Sequence, residues 1–187
     1  MCGFVGATGS LTPQDLTAMR DKLAHRGPNH AANWSGQIGA KMAHLGFRRL
    51  VVLDPSGGVQ PMTSRDGSVT LVFNGEIYNA PDLRRNLEDR GHQFCTDHSD
   101  TEVLLHAYIE FGEGMVSRLS GMFAFAVIDR AKGQVFMARD RFGKKPLYYA
   151  VVGDDIVFGS EVDAVAVHPG VDQRIDRRNL MRYFAIG

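Results

Sequence analysis

The sequence predicts an α+β fold in which helices cover antiparallel sheets. Apolar runs typical of strands come first, two helical patterns lie in the middle of the 187-residue chain, and more strand-like runs follow. Strands and helices do not alternate regularly, as they would in a doubly wound parallel sheet, so the pattern favours layered α+β packing. The length is sufficient for one domain with its own hydrophobic core.

The first elements are a strand, a capped helix and two further strands. Residues 3–8 (GFVGAT) are typical of a short strand. Thr12 and Asp15, with a proline between them, form a helix start with an N-cap and an acid in the first turn. Partial alternation predicts a strand over 38–47, and the apolar run 69–75 predicts another that ends at a turn.

Two amphipathic helices follow. The segment 81–91 has helical spacing of its apolar residues and ends at Gly91, a residue typical of helix C-caps. The segment 100–112 (DTEVLLHAYIEFG) predicts a second helix with Ser99 or Asp100 at its N-cap.

The C-terminal third predicts a β-meander and a final helix. Four short apolar or aromatic runs are separated by turn residues, namely MFAFAVID, QVFMARD, PLYYAVV and DIVFGSE. Asp176 then lies where it would cap a helix over RRNLMRYFA. We expect residues from about 165 to 187 to begin a connection to a further, missing domain.

Composition excludes several classes of protein. Lys plus Arg and Asp plus Glu each number 21, so no basic excess favours nucleic acid or an acidic membrane surface. No apolar stretch approaches the roughly 18 residues of a membrane span, and the N-terminus lacks the pattern of a signal peptide. Two cysteines make no disulfide framework, so we expect a cytoplasmic protein that contacts neither nucleic acid nor membrane.

Cys2 directly follows the initiator methionine. Once Met1 is removed, Cys2 carries a thiol and a free α-amino group, and the amine can act as a base for the thiol. This is the arrangement of N-terminal nucleophiles. The alternative is a small residue at a frayed terminus.

Two strand ends carry candidate binding groups. Arg49 offers a planar fork that fits a carboxylate with two hydrogen bonds, or it forms a surface salt bridge. The Asn74 amide and the Gly75 N–H are two donors of the kind that a tetrahedral oxyanion requires. An ordinary Asn-Gly hairpin turn is the alternative.

Three polar segments leave both a functional and a structural interpretation open. The segment 97–102 (DHSDTE) either caps the following helix or binds a substrate ammonium group. The segment 25–29 (HRGPN) is either a functional loop or a polar helix exit. The charges of 139–149 (RDRFGKKPLYY) lack the pattern of a phosphate loop, so we expect a solvated turn between strands.

A metal site is not expected. His92, Cys95, Asp97 and His98 lie close together in sequence, but their spacing fits no standard zinc pattern. We expect Cys95 to be a buried apolar residue instead.

The order of these motifs resembles a known family. MCGFVG, HRGPN, RRL, NGEIYN, SDTE, GMFAFAVID, RDRFGKKPLYY and FGSE together resemble the N-terminal glutaminase domain of glutamine-hydrolysing asparagine synthetases. These are class II glutamine amidotransferases and members of the N-terminal-nucleophile hydrolases. The resemblance covers residues 1–187 and implies a four-layer αββα sandwich of two antiparallel sheets.

The resemblance also implies a role for each site residue. Cys2 corresponds to the nucleophile, with its own α-amine as general base, and Asn74 and Gly75 to the oxyanion hole. The residues implied to bind glutamine are Arg49 at the α-carboxylate and Asp100 and Glu76 around the α-ammonium group. Leu50, Val52 and Leu53 are implied to form backbone contacts with glutamine and the wall of its binding site.

The implied activity is hydrolysis of L-glutamine to glutamate and ammonia, without a metal or an organic cofactor. ATP and Mg²⁺ are expected only in the missing synthetase domain, because the SGGxDS loop of ATP pyrophosphatases is absent here. The partners implied are that synthetase domain, in cis or as a subunit, and a homodimer is left open. Amidotransfer to another acceptor and a glutamine-binding module without turnover are the alternatives, whereas Arg49 with Asp100 disfavours an N-terminal-nucleophile peptidase or acylase.

Three positions depart from the family pattern. Asn29 stands where aspartate is usual, Phe47 where histidine is common, and Lys144 where an apolar residue is usual. None is an implied nucleophile or oxyanion donor, so we expect modest effects.

Overall fold

The computed structural model describes residues 2–50 and 58–186, and this part of the chain forms nine strands and five α-helices. The strands are β1 (Gly3–Thr8), β2 (His30–Ile38), β3 (Lys41–Arg49), β4 (Met62–Thr63), β5 (Val69–Ile77), β6 (Gly121–Asp129), β7 (Gln134–Arg139), β8 (Tyr148–Val152) and β9 (Asp155–Gly159). The helices are α1 (Pro13–Asp21), α2 (Ala80–Glu88), α3 (Asp100–Phe111), α4 (Val162–Ala166) and α5 (Arg177–Ile186), and a 3₁₀ segment spans Gly112–Arg118.

The strands form two antiparallel sheets. The first sheet has the order β2-β3-β1-β9-β8 and the second has the order β4-β5-β6-β7. The inner faces pack together through an apolar core that includes Phe4, Phe47 and Phe158 from the first sheet and Val72 and Ala126 from the second.

Helices cover both outer faces. Leu16 and Met19 of α1 pack with α4 and with the outer face of the first sheet. Leu83 of α2 and Leu104 of α3 pack on the outer face of the second sheet, with Phe125 and its neighbours. The predicted αββα sandwich is therefore confirmed, and each layer follows from strands or helices that carry one apolar face.

Most predicted elements are confirmed, and the helix caps agree in detail. Thr12 and Asp15 form a reciprocal capping box at the start of α1. The Ser99 hydroxyl accepts from the Glu102 N–H at the start of α3. Gly91, with a φ of 92°, ends the turn after α2, where the His92 N–H donates to the Leu87 carbonyl.

Two features of the sheets differ from the prediction. The strand expected over 38–47 is β3, and β2 before it was not predicted, since its alternating residues are mostly small or polar and only half-buried. The predicted meander is split between sheets: β6 and β7 lie in the second sheet, whereas β8 and β9 join the first sheet beside β1. Local turn signals do not encode which sheet a hairpin joins.

The C-terminal segment has little contact with the sandwich. Residues 172–186 are all exposed, including the predicted helix α5, and Asp176 accepts a hydrogen bond from the Arg178 N–H at its start. A connection to a further domain over 165–187 stays a prediction.

A buried serine fixes the beginning of β1 against β9. The Ser160 hydroxyl accepts from the Phe4 N–H at 3.0 Å, and the Ser160 N–H donates to the Phe4 carbonyl. Ser160→Ala leaves a buried N–H without a partner, which costs about 1–3 kcal/mol. We expect a fall in the thermal unfolding midpoint of roughly 3–10 °C, measured by circular dichroism. Ser117→Ala, at an exposed serine, is the control; equal midpoints for the two variants would contradict the assignment.

Candidate functional site

A cavity of about 600 Å³ lies where the inner faces of the two sheets reach their edge. It is lined by seven of the nine residues singled out from the sequence, namely Cys2, Arg49, Leu50, Asn74, Gly75, Glu76 and Asp100. Val52 and Leu53 lie outside the described residues. Cys2 and Leu50, which are 48 positions apart in the sequence, are therefore brought into one site.

Strand alternation explains why these residues meet. Phe4, Phe47 and Val72 point into the apolar core between the sheets. Residues two further along a strand point the same way. Cys2 and Asn74 therefore continue the inner faces of β1 and β5 to the edge, where the core gives way to the cavity.

Cys2 lies at the start of the central strand of the first sheet. It is half-buried, and its Sγ lies 3.7 Å from the Leu50 carbonyl oxygen. Since β1 is paired on one side with β3 and on the other with β9, the backbone that carries Cys2 is held from both sides.

Arg26 connects Cys2 to the rest of the fold. Its Nε donates to the Cys2 carbonyl at 3.0 Å and its Nη1 donates to Glu161 at 2.9 Å. Burial opposes the charge of Glu161, but hydrogen bonds from Arg26 and His25 outweigh it and lower the pKa of this carboxyl. The HRGPN segment is therefore part of the site, a role that its local sequence left open.

Gly27 allows this segment to lie against β3. A Cβ at Gly27 would lie 2.4 Å from the Arg48 carbonyl carbon and 2.6 Å from the Arg49 nitrogen. Any side chain there would push the Arg26 loop away from the strand that carries Arg49.

The Asn74 amide is oriented by the same arginine. In the orientation that satisfies its neighbours, Asn74 Nδ2 donates to the Cys2 carbonyl at 3.1 Å and Oδ1 accepts from Arg26 Nη2 at 3.3 Å. This orientation is assigned from the hydrogen-bond network. The amide N–H₂ thereby faces the residue that carries the thiol.

Gly75 lies where β5 and β6 approach closely. A Cβ at Gly75 would lie 2.2 Å from the Met122 carbonyl oxygen and 2.7 Å from Phe123 Cα. A side chain at this position would separate the two strands, so only glycine fits beside Asn74.

Arg49 ends β3 with its side chain buried. A Cβ at Gly58 would lie 3.6 Å from both Arg49 Nη2 and Ser99 Oγ, so the guanidinium lies near the start of α3. The Arg49 carbonyl accepts from the Asn29 N–H at 3.1 Å, which ties the HRGPN segment to the end of the strand.

Of the three carboxylates that line this cavity, Asp97, Glu76 and Asp100, the last two interact electrostatically. Asp100 Oδ2 accepts from the Ile77 N–H at 3.2 Å. Burial, reinforced by the nearby charge of Glu76, raises the pKa of Asp100 above its usual value despite this hydrogen bond. Neither carboxylate forms an ion pair within the part of the chain that the structure describes, so a bound cation would relieve both.

Glu102 holds the loop before α3 in place. Its carboxylate accepts from the Cys95 N–H at 2.7 Å and from the Thr96 N–H at 2.9 Å. Cys95 is exposed, so the expectation of a buried apolar cysteine is wrong; the loop lies outside the apolar core and presents its backbone to Glu102.

Lys145 is a cavity residue that the sequence did not reveal. The expectation of a solvated turn is wrong here, because Lys145 and Asp140 are both buried and Lys145 lines the cavity. The Asp140 carboxylate accepts four backbone N–H groups, from Phe123 and from residues 142, 144 and 145. Burial opposes its charge, but these hydrogen bonds outweigh it and lower the pKa of Asp140.

The comparisons with known proteins agree with this geometry. The model of the glutamine amidotransferase domain family matches residues 1–187. The chain belongs to this family. The domain is 45% identical to asparagine synthetase [glutamine-hydrolyzing] 3 of Bacillus subtilis over 194 residues, which is 100% of this chain and 31% of that protein. It is 38% identical to asparagine synthetase [glutamine-hydrolyzing] 1 of the same organism, over 99% of this chain and 29% of that protein.

Solved structures share the fold of this amidotransferase domain. The glutamine phosphoribosylpyrophosphate amidotransferase of B. subtilis superposes with a TM-score of 0.70 at 28% identity, covering 89% of this chain and 43% of that one. An allosteric regulatory enzyme of purine biosynthesis superposes with a TM-score of 0.74 at 27% identity, covering 92% and 44%. The domain spans less than a third of the length of its curated synthetase relatives.

The three departures from the family pattern lie away from the cavity lining of the amidotransferase domain. Phe47 is fully buried in the core between the sheets. Asn29 is exposed and contributes its backbone N–H to Arg49, and Lys144 is exposed and contributes its N–H to Asp140.

Within residues 2–50 and 58–186, no group of three or more His, Cys, Asp or Glu side chains is arranged to hold a metal ion. In the same part of the domain, no helix combines the length and apolar character needed to cross a membrane.

The raised pKa of Asp100 predicts that its ionised carboxylate, the form suited to bind a cation, destabilises the folded domain at neutral pH. A folded-state pKa above the unfolded value gives stability that is present at acid pH and is lost as pH rises through the folded pKa. Asp100→Asn, which keeps an acceptor for the Ile77 N–H, should raise the unfolding midpoint at pH 7 by about 1–4 °C.

This difference should shrink as the pH is lowered from 7 towards 4. Differential scanning calorimetry measures it, with the exposed Asp82→Asn as control. A destabilised Asp100→Asn protein at pH 7, or a difference that does not depend on pH, would contradict the prediction.

Proposed function

We propose that this domain hydrolyses L-glutamine to glutamate and ammonia through a thioester on Cys2. The observation that carries the proposal is a single cavity that contains a cysteine, a buried guanidinium and three carboxylates. A free α-amino acid carries a carboxylate and an ammonium group, so this set of charges is complementary to it.

Substrate binding is assigned to the charged residues. The Arg49 guanidinium donates two hydrogen bonds to the α-carboxylate, and Glu76 and Asp100 accept from the α-ammonium group. Leu50, Val52 and Leu53 are the positions to which the family resemblance assigns backbone and wall contacts with glutamine.

In the first half of the reaction the N-terminal residue supplies both the nucleophile and the base. With Met1 removed, the α-amine takes the thiol proton, and the Cys2 thiolate attacks the carbon of the glutamine side-chain amide. Asn74 Nδ2 and the Gly75 N–H stabilise the oxyanion. The protonated amine then gives its proton to the leaving nitrogen, so ammonia departs and a glutamyl thioester remains.

The second half regenerates the cysteine. The α-amine takes a proton from water, whose oxygen attacks the thioester carbon. Collapse of the second tetrahedral intermediate breaks the C–S bond and releases glutamate, and the protonated amine returns its proton to the Cys2 sulfur. No step needs a metal or an organic cofactor.

We further propose that the ammonia serves an ATP-dependent synthetase portion in cis, where ATP and Mg²⁺ act. The length of the relatives supports this arrangement, because the domain matches only 31% and 29% of the two synthetases. An acceptor other than aspartate is the alternative, and a cytoplasmic location and a homodimer stay predictions.

Cys2→Ala should abolish glutamate release from L-glutamine, a loss of at least about 10³-fold. The assay is enzymatic detection of glutamate, after mass spectrometry has established that Met1 is absent. Cys95→Ala, at the exposed cysteine, is the matched control and should keep full activity. Turnover that persists in Cys2→Ala would overturn the mechanism; a processed protein that binds glutamine without turnover would favour the binding-module alternative.

Arg26→Ala should lower kcat by about 10²-fold, because it releases both the Cys2 carbonyl and the Asn74 amide. The change in KM should stay within about threefold, since Arg26 positions the reacting groups and does not bind glutamine. Steady-state kinetics measure both constants, with exposed Arg65→Ala as control. An effect confined to KM would mean that Arg26 acts on the substrate instead.

A further inference from the structure

Strand β5 has an edge that its neighbour β4 covers only in part. The two strands pair at Met62 with Leu71 and at Thr63 with Thr70, and within the described chain no strand pairs with this edge further towards the cavity. The backbone N–H groups that point to this edge beyond Leu71 therefore need partners of another kind.

The strand register shows which N–H groups these are. Phe123 lies opposite Gly75 on β6, but its N–H donates to the Asp140 carboxylate and its carbonyl accepts from the Asp140 N–H at 2.7 Å. Gly75 and Phe123 are thus a pair without mutual hydrogen bonds, so the Gly75 N–H points away from β6. Phe73 and Ile77, two residues to either side, share this direction.

The two outer N–H groups of this row donate to side chains. The Phe73 N–H donates to Gln60 Oε1 at 2.6 Å, and the Ile77 N–H donates to Asp100 Oδ2 at 3.2 Å. Between them, the Gly75 N–H finds no acceptor among the residues that the structure describes, and Gly75 is half-buried in the cavity wall. This N–H is therefore the donor of the row that remains for a ligand.

Gln60 is itself held at both ends of its amide. Its side chain is buried at the cavity wall, and its Nε2 donates to the Thr101 hydroxyl at 3.2 Å. Thr101 is the second residue of α3 and follows Asp100. The amide consequently joins β5 to the start of α3, and it acts on the backbone of β5 rather than on a ligand.

We propose that Gln60 is a positioning residue for the oxyanion hole. Its amide takes the place of a further strand residue beside Phe73, and with Asp100 at Ile77 it fixes β5 on both sides of the Gly75 N–H. This inference rests on the proposed function, since it concerns the donor that is assigned there to the oxyanion.

The test compares the two hydrogen bonds of the Gln60 amide. Gln60→Met removes both with little change in length, whereas Thr101→Val removes only the acceptor at α3 and keeps the bond to Phe73. Gln60→Glu keeps an oxygen for the Phe73 N–H. Gln37→Met, at an exposed glutamine, is the matched control.

Gln60→Met should lower kcat for glutamate release by about 10- to 100-fold, because the Gly75 N–H loses its alignment with the oxyanion. KM should stay within about threefold, and so should the affinity of Cys2→Ala protein for L-glutamine, measured by calorimetry with and without Gln60→Met. Gln60→Glu should recover most of kcat, and Thr101→Val and Gln37→Met should keep it within about threefold of the parent.

The outcomes separate this inference from the glutaminase proposal. An equal loss of kcat in Gln60→Met and Thr101→Val makes Gln60 a structural residue, an effect confined to KM makes it a binding residue, and an unchanged kcat removes it from the site. Each of these results overturns the inference and leaves the glutaminase proposal intact.

If Gln60→Met does not fold, Gln60→Asn replaces it in both assays, because its amide is one methylene too short to reach the Phe73 N–H. If the parent protein does not hydrolyse glutamine, both proposals fail together.

Discussion

The site depends on one arginine that joins three parts of the chain. Arg26 donates to the Cys2 carbonyl, orients the Asn74 amide and pairs with Glu161 beyond β9. The first contact belongs to the first sheet and the second to β5 of the second sheet, so one side chain sets the position of the two sheets relative to each other at the cavity. A rigid guanidinium with five N–H donors is suited to this task, since it serves several acceptors in one plane.

The sandwich supplies the frame in which that contact is possible. The apolar core between the sheets fixes their separation, and the inner faces become polar only at the strand ends that border the cavity. At Gly75 the backbones of β5 and β6 approach too closely for any side chain. Phe123, opposite Gly75 on β6, donates its N–H to the Asp140 carboxylate. The same carboxylate accepts from the Lys145 N–H and so holds the loop that carries Lys145. Gly75, Cys2 and the loop that carries Lys145 are thus held by packing that is continuous with the core.

Sequence reasoning succeeded for the fold class and where the signal is local. Caps such as Thr12 and Ser99 are read from neighbouring residues. Seven of the nine candidate site residues line one cavity, and their roles stay predictions. Sequence reasoning failed where the deciding partner is distant. Nothing near Arg26 indicates that its partners are Cys2, Asn74 and Glu161, and nothing near Lys145 indicates that its side chain is buried and lines the cavity. The sheet joined by β8 and β9 was missed for the same reason, because pairing with β1 is a long-range contact.

Arg26 contacts Cys2 through the carbonyl oxygen, which is the end of the residue that does not change when Met1 is removed. In the proposed mechanism, folding and activation are consequently separate events. The chain assembles its cavity while Met1 is still attached to Cys2, and removal of Met1 by an aminopeptidase then creates the base. Chemistry of this kind is encoded by position in the polypeptide as much as by residue type. An N-terminal affinity tag that is never cleaved would give a folded but silent protein, whereas a fusion at the opposite end leaves the amine free.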